Sequence, residues 1–91
     1  SSSPPTITTF TTSGTITTSD VVVLADSSSP IVLTLPSAAT VQIYYIKNIN
    51  TSTVTLNTVS SQTIDGAANL ILTFPWSAVT LISTGTAWMI F

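Results

Sequence analysis

Short runs of β-branched, aromatic and aliphatic residues, each interrupted within a few positions by a turn signal, fill this 91-residue chain. The runs cover residues 6–12, 15–18, 21–25, 31–35, 41–47, 53–56, 62–64, 69–74, 77–83 and 87–91. The breaks fall at Ser13-Gly14, at residues 26–30 (DSSSP), and at Pro36-Ser37, Asn48-Ile49-Asn50, Asp65-Gly66, Pro75 and Thr84-Gly85. Runs of this kind bounded by Gly, Pro, Asn, Asp and Ser are strand signals. Breaks this frequent leave no window for a helix, beyond a single turn that could start at Ala38-Ala39. The pattern predicts an all-β domain, a compact antiparallel β-sandwich or jelly-roll-like barrel. Asp65-Gly66 carries the strongest hairpin signal, because a type I′ turn needs positive φ at both central positions.

The alternation within the runs separates two kinds of strand. Thr53-Val54-Thr55-Leu56 alternates polar and apolar, as a half-buried antiparallel strand should. Val21-Val22-Val23-Leu24, Ile43-Tyr44-Tyr45-Ile46, Leu70-Ile71-Leu72 and Trp88-Met89-Ile90-Phe91 are apolar on both faces. A second sheet can cover one face of such a strand. With no helix to cover the other, a neighbouring copy of the chain is the simplest cover. Thr-x-Thr recurs at irregular intervals and no fixed-period repeat emerges. Irregular spacing argues against a ranked threonine face of the kind that binds ice.

Composition sharpens this picture. Charged residues make up 4% of the chain, against about 25% in an ordinary domain. They are Lys47, Asp20, Asp26 and Asp65, with no His, Cys, Arg or Glu. Apolar residues make up 44%, the mean hydropathy is +0.60, and Ser and Thr supply more than a third of the positions. Without cysteines or histidines, neither a disulfide nor a structural zinc can staple so small a core, which leaves oligomerisation as the route to more buried surface. The net charge of −2 and pI near 4.1 offer nothing to a phosphate backbone, so nucleic acid is not a partner.

Residues 66–91 are uncharged and long enough to span a bilayer. Their Asn, Thr, Ser, Gly and Pro residues, and the lack of flanking basic residues, argue against membrane insertion. The opening SSSPPT reads as a linker from something longer rather than a signal sequence.

Catalysis is closed to this residue set. A serine nucleophile has no histidine, and a Ser–Lys pair could use only Lys47. Three aspartates separated by 6 and 39 positions form no metal loop. No enzyme activity, cofactor or metal is expected. The Asn50-Thr51-Ser52 glycosylation sequon is too short to carry weight. Trp88 belongs to a terminal strand and to the core. Trp76, beside Pro75, sits at a break where an indole can lie exposed and stack on a sugar ring.

The order of several segments resembles the β-rich head domains at the tips of viral fibres, phage tail fibres above all. The segments are Tyr45-Ile46-Lys47-Asn48-Ile49, Gln62-Thr63-Ile64-Asp65-Gly66-Ala67 and Gly85-Thr86-Ala87-Trp88. They follow Val21 to Asp26 and Ile31 to Ala38, and they span residues 15–91 of the chain with Ser52 to Leu56 and Ala78 to Ser83 between them. The resemblance implies a homotrimer at the virion surface, with residues 1–13 as linker or end of a shaft and 14–91 as the head. It implies attachment to a host cell-surface receptor, glycans among them. Lys47, at the end of an apolar strand, is either an exposed strand-end lysine or the partner of Asp20, Asp26 or Asp65; the resemblance implies that Lys47 and Asp65 are structural positions and supports their ion pair. Receptor contacts are expected at Asn48, Asn50 and Trp76, within loops 26–30, 48–52 and 75–77. A trimerisation and capping module of a fibre, or a free-standing carbohydrate-binding module, are the alternatives.

Overall fold

A computed structural model describes residues 6–91. Among them are nine strands and no helix: β1 Ile7–Phe10, β2 Gly14–Thr15, β3 Val22–Ala25, β4 Ile31–Thr34, β5 Ile43–Asn48, β6 Val54–Asn57, β7 Asn69–Leu72, β8 Ala78–Ser83 and β9 Trp88–Ile90. They form a five-stranded sheet in the order β1-β3-β5-β8-β9 and a four-stranded sheet in the order β2-β4-β6-β7. The all-β expectation holds. The run at 62–64 contributes only an isolated bridge at Ile64, and the run at 15–18 shrinks to the end of the two-residue β2.

The expected antiparallel topology does not hold. Pairs β1–β3, β3–β5, β2–β4 and β4–β6 are parallel, and only β5–β8, β8–β9 and β6–β7 are antiparallel. From β1 to β6 the chain changes sheet at every step, so each break is an arch between sheets and not a hairpin within one. Parallel neighbours need a long crossover, usually a helix. Here the crossover of each sheet is a strand of the other. Residues 7–10, assigned above to a linker running to residue 13, are β1 and lie in register with β3. Of that expected linker, residues 1–5 lie outside the described residues, and residues 11–13 form the connection from β1 to β2.

The parallel register contains one repeat. Val22 pairs with Tyr45 and Ile31 with Val54, both 23 positions apart (45 − 22 and 54 − 31). The preceding rung is shorter, with Ile7 opposite Val22 and Gly14 opposite Leu33, 15 and 19 positions apart (22 − 7 and 33 − 14). A single true repeat following a shorter turn produces no period that the sequence alone can display.

The inner faces of the two sheets make one core. Val23, Ile46, Val79 and Leu81 from one sheet face Ile31, Leu33, Val54, Leu56 and Leu72 from the other. Trp88 is fully buried, as expected, with its ring centroid 5.5 Å from that of Tyr44 and tilted by 40°. Aromatic pairs prefer such tilted or offset contacts because their ring quadrupoles repel in a flat sandwich. The Asp65-Gly66 turn forms as expected: φ is 48° and 86°, and Ile64 and Ala67 exchange both backbone hydrogen bonds at 2.7 and 2.9 Å. This hairpin blunts the exposed edge of β9. Trp88 N–H donates to Thr63 O, Asp65 N–H donates to Trp88 O, and Ile90 N–H donates to Asp65 Oδ1. Unpaired edge groups are a liability for aggregation, and here a turn satisfies them.

Asp20 is nearly buried and fully coordinated by neutral donors. Thr8 Oγ1 donates to Oδ1 at 2.7 Å; Thr17 N–H and Thr17 Oγ1 donate to Oδ2 at 2.9 and 3.3 Å. The neighbouring Tyr44 phenol donates to Thr17 O at 2.9 Å. Burial, reinforced by the charge on Asp20, raises the Tyr44 pKa above its ordinary 10.0. The folded state therefore favours the protonated phenol. This contribution to stability is whole below pH 10.0 and is lost as pH rises through the higher folded value. Melting curves taken up through this alkaline range should fall more steeply for the wild type than for Tyr44→Phe. Parallel curves would show that Tyr44 does not govern the alkaline limb.

Candidate functional site

Because the chain crosses between sheets at each step from β1 to β6 and again from β7 to β8, the arches on one side stack in strand order. Residues 11–13 follow β1, 26–30 follow β3, 49–53 follow β5, and 73–77 precede β8. Neighbouring strands are about 4.8 Å apart, so the four arches form an edge on the order of 15 Å long. All three loops expected to contact a receptor, at 26–30, 48–52 and 75–77, lie on it.

Side chains tie the arches to one another. Asn50 Nδ2 donates to Asp26 Oδ1 at 2.8 Å, and Ser52 Oγ donates to Ser28 O at 2.7 Å. Ser13 Oγ accepts the Val32 amide at 2.9 Å. Between the first two arches and Asn50 lies a polar groove of about 540 Å³, lined by Thr11, Thr12, Ser13, Asp26, Ser27 and Asn50 among others. Its walls offer hydroxyls, one carboxylate and one amide. These groups suit a neutral ligand rich in hydroxyls, and they include no cation to hold an anion.

The three predicted contact residues separate sharply. Asn48 is fully buried. Its Nδ2 donates to Ser52 O at 2.9 Å and to Leu72 O at 3.2 Å, and its Oδ1 accepts the Asn50 amide at 3.1 Å. Its backbone N–H donates to Ser77 O, and its carbonyl accepts the Trp76 N–H at 2.6 Å. Asn48 is therefore not open to a receptor; it is the fastening between the 49–53 and 73–77 arches. It ends β5 facing inward, where an unpaired amide would be costly and a fully satisfied one holds both arches. Asn50 is half-buried and lines the groove. Trp76 is 66% exposed and Phe74 is 71% exposed.

Trp76 also has an unfavourable backbone. Ser77 N–H donates to Phe74 O at 3.1 Å, closing a four-residue turn with Pro75 second and Trp76 third. Trp76 has φ of 67°. The third position of a type II turn requires positive φ and favours Gly or Asn. A bulky residue there costs about 1–2 kcal/mol. Little packing offsets this, because most of the indole is in water. Phe74, two positions away on the same arch, was not picked out from the sequence. Its place before Pro75 was the available signal, since a pre-proline residue is held extended and away from helix.

The expected Lys47–Asp65 ion pair does not form. Lys47 points outward from β5 in the middle of the five-stranded sheet, whereas Asp65 lies beyond β9, with β8 between them. The Asp65 carboxylate serves the Ile90 amide. Among the described residues, none of the three aspartates meets Lys47.

The two halves of the edge should respond oppositely to substitution. Asn48→Ala should lose about 2–4 kcal/mol of stability, since several buried partners lose their bonds at once. Trp76→Gly should raise stability by about 1 kcal/mol by relieving the positive φ. Denaturant unfolding of both variants checks this; a destabilised Trp76→Gly would mean that the indole packs against the fold.

No family model, curated protein or solved structure matches the chain, and the chemistry of the edge stands on its own residues.

Proposed function

We propose that this chain is a non-covalent attachment module, the head of a viral fibre, which binds a carbohydrate receptor on the host cell surface through its stacked-arch edge. The observation that carries the reading is Trp76: a mostly exposed indole kept in a backbone conformation that disfavours it, on an arch fastened by a buried amide. Strain without packing benefit is a mark of a functional position. An indole face and a groove of hydroxyls, one amide and one carboxylate together match a sugar ring, which has an apolar C–H face and a polar rim. The ordered segments that resemble viral fibre heads point the same way.

The module acts as a homotrimer at the virion surface, so that weak single sites gain avidity from three copies. Support comes from the outward face of the five-stranded sheet, where Ile7, Ile43, Tyr45, Met89 and Phe91 are exposed. In the other sheet one outward row runs Thr15, Thr34, Asn57, Asn69 and the next runs Val32, Thr55, Ile71, so that face mixes polar and apolar positions. The same apolar face favours the second reading, a structural module that registers three fibre chains without meeting a receptor. No reaction is proposed: Asp20 is saturated by its hydrogen bonds, and no histidine or cysteine stands near any hydroxyl.

A glycan array and host-surface extracts probed with the intact assembly decide between the two. The attachment reading expects carbohydrate binding that falls at least about tenfold in Trp76→Gly, a loss of roughly 1.4 kcal/mol or more per site. An intact assembly that binds no glycan and no extract supports the structural module instead.

A further inference from the structure

We propose that Lys47 forms its ion pair across a subunit contact, with Asp65 of a second copy of this chain, and that the outward face of the five-stranded sheet is the surface so joined. This rests on the assembly in the reading above and not on the receptor.

Lys47 is the only cation in the chain. Its neighbours in register on the outward face are Leu24 and Ala78, and it lines a groove of about 330 Å³ with Val22, Tyr45 and Phe91. A second copy laid on this apolar face would strip water from the ammonium. Burying a charge without a partner costs several kcal/mol, so the covering surface must bring an anion. A copy of this chain has three to offer. Asp20 is buried, with both oxygens occupied. Asp26 belongs to the hydroxyl groove and binds Asn50. Asp65 remains: it is exposed, and its Oδ1 is taken by the Ile90 amide. Its Oδ2 accepts no hydrogen bond among the described residues. It borders β9, where Met89 and Ile90 are both 38% exposed. One copy therefore presents an apolar groove with a lone cation and, past Ile90 at the margin of the same groove, a lone anion. Contact that sets the groove of one copy on the Asp65 margin of the next is heterologous, and a rotation that closes it produces a ring.

The full chain tests this with a double-mutant cycle. Lys47→Met keeps the apolar stem, and Asp65→Asn keeps both the turn and an acceptor for Ile90. Sedimentation equilibrium measures association, and circular dichroism checks that each variant is folded. Each single variant should weaken association about tenfold, and the double variant no further than either single. Association of the wild type should weaken with added salt, that of the double variant much less. Singles that associate as the wild type does, or losses that multiply in the double variant, would overturn the pairing while leaving the assembly standing. A monomeric wild type would overturn both.

Discussion

One buried amide fixes the edge of this molecule on which the arches stack. Asn48 reaches Ser52 and Leu72 through its side-chain donor, Asn50 through its acceptor, and Ser77 and Trp76 through its backbone. It therefore sets the spacing between the arch that leaves β5 and the arch that enters β8. Asn50 extends the linkage to Asp26 and so to the arch after β3. In an interior so poor in charge, such a network is strong because its alternatives are poor: an unmade bond there has no water to replace it. The exposed Trp76 can tolerate its strained φ because the turn carrying it is anchored at both ends.

The scarcity of charge takes on a physical sense in this setting. Two thin sheets bury their inner faces against each other and leave outward faces to be dealt with. Sheet β2-β4-β6-β7 presents a row of Thr and Asn beside Val32, Thr55 and Ile71. Sheet β1-β3-β5-β8-β9 presents Ile7, Ile43 and Tyr45 around the one lysine. Hydroxyls and amides keep much of the first face wet at little cost, and the second is the more continuously apolar. Charges scattered over an apolar face would each have to be desolvated by anything that covers it.

The legible part of the sequence was whatever depends on local chemistry. β-Branched runs located eight of the nine strands closely. Asp65-Gly66 announced its type I′ turn, and the two-faced strands announced an outward apolar face. Topology was not legible, because an arch between sheets and a hairpin within one use the same residues. Asp26 to Pro30 would serve either, and only tertiary pairing decides. The same ambiguity explains the candidate site. The three loops were named separately, and stacking brought them to one edge. Asn48 was misread because its polarity suggested solvent, when the inward alternation of β5 buries it among backbone partners. Lys47 and Asp65 were linked as the obvious opposite charges, and the sheet holds them apart.

The central claim is that the chain passes from sheet to sheet, so that its loops stack as arches. Interstrand nuclear Overhauser contacts in the labelled protein test it most directly. The fold described here places Val23 beside Ile46 and Leu33 beside Leu56, both in parallel register. Backbone Hα–Hα contacts pairing Val23 with Leu33 in an antiparallel ladder closed by residues 26–30, as opposed to side-chain contacts across the core, would contradict it and would disperse the edge on which Trp76 stands.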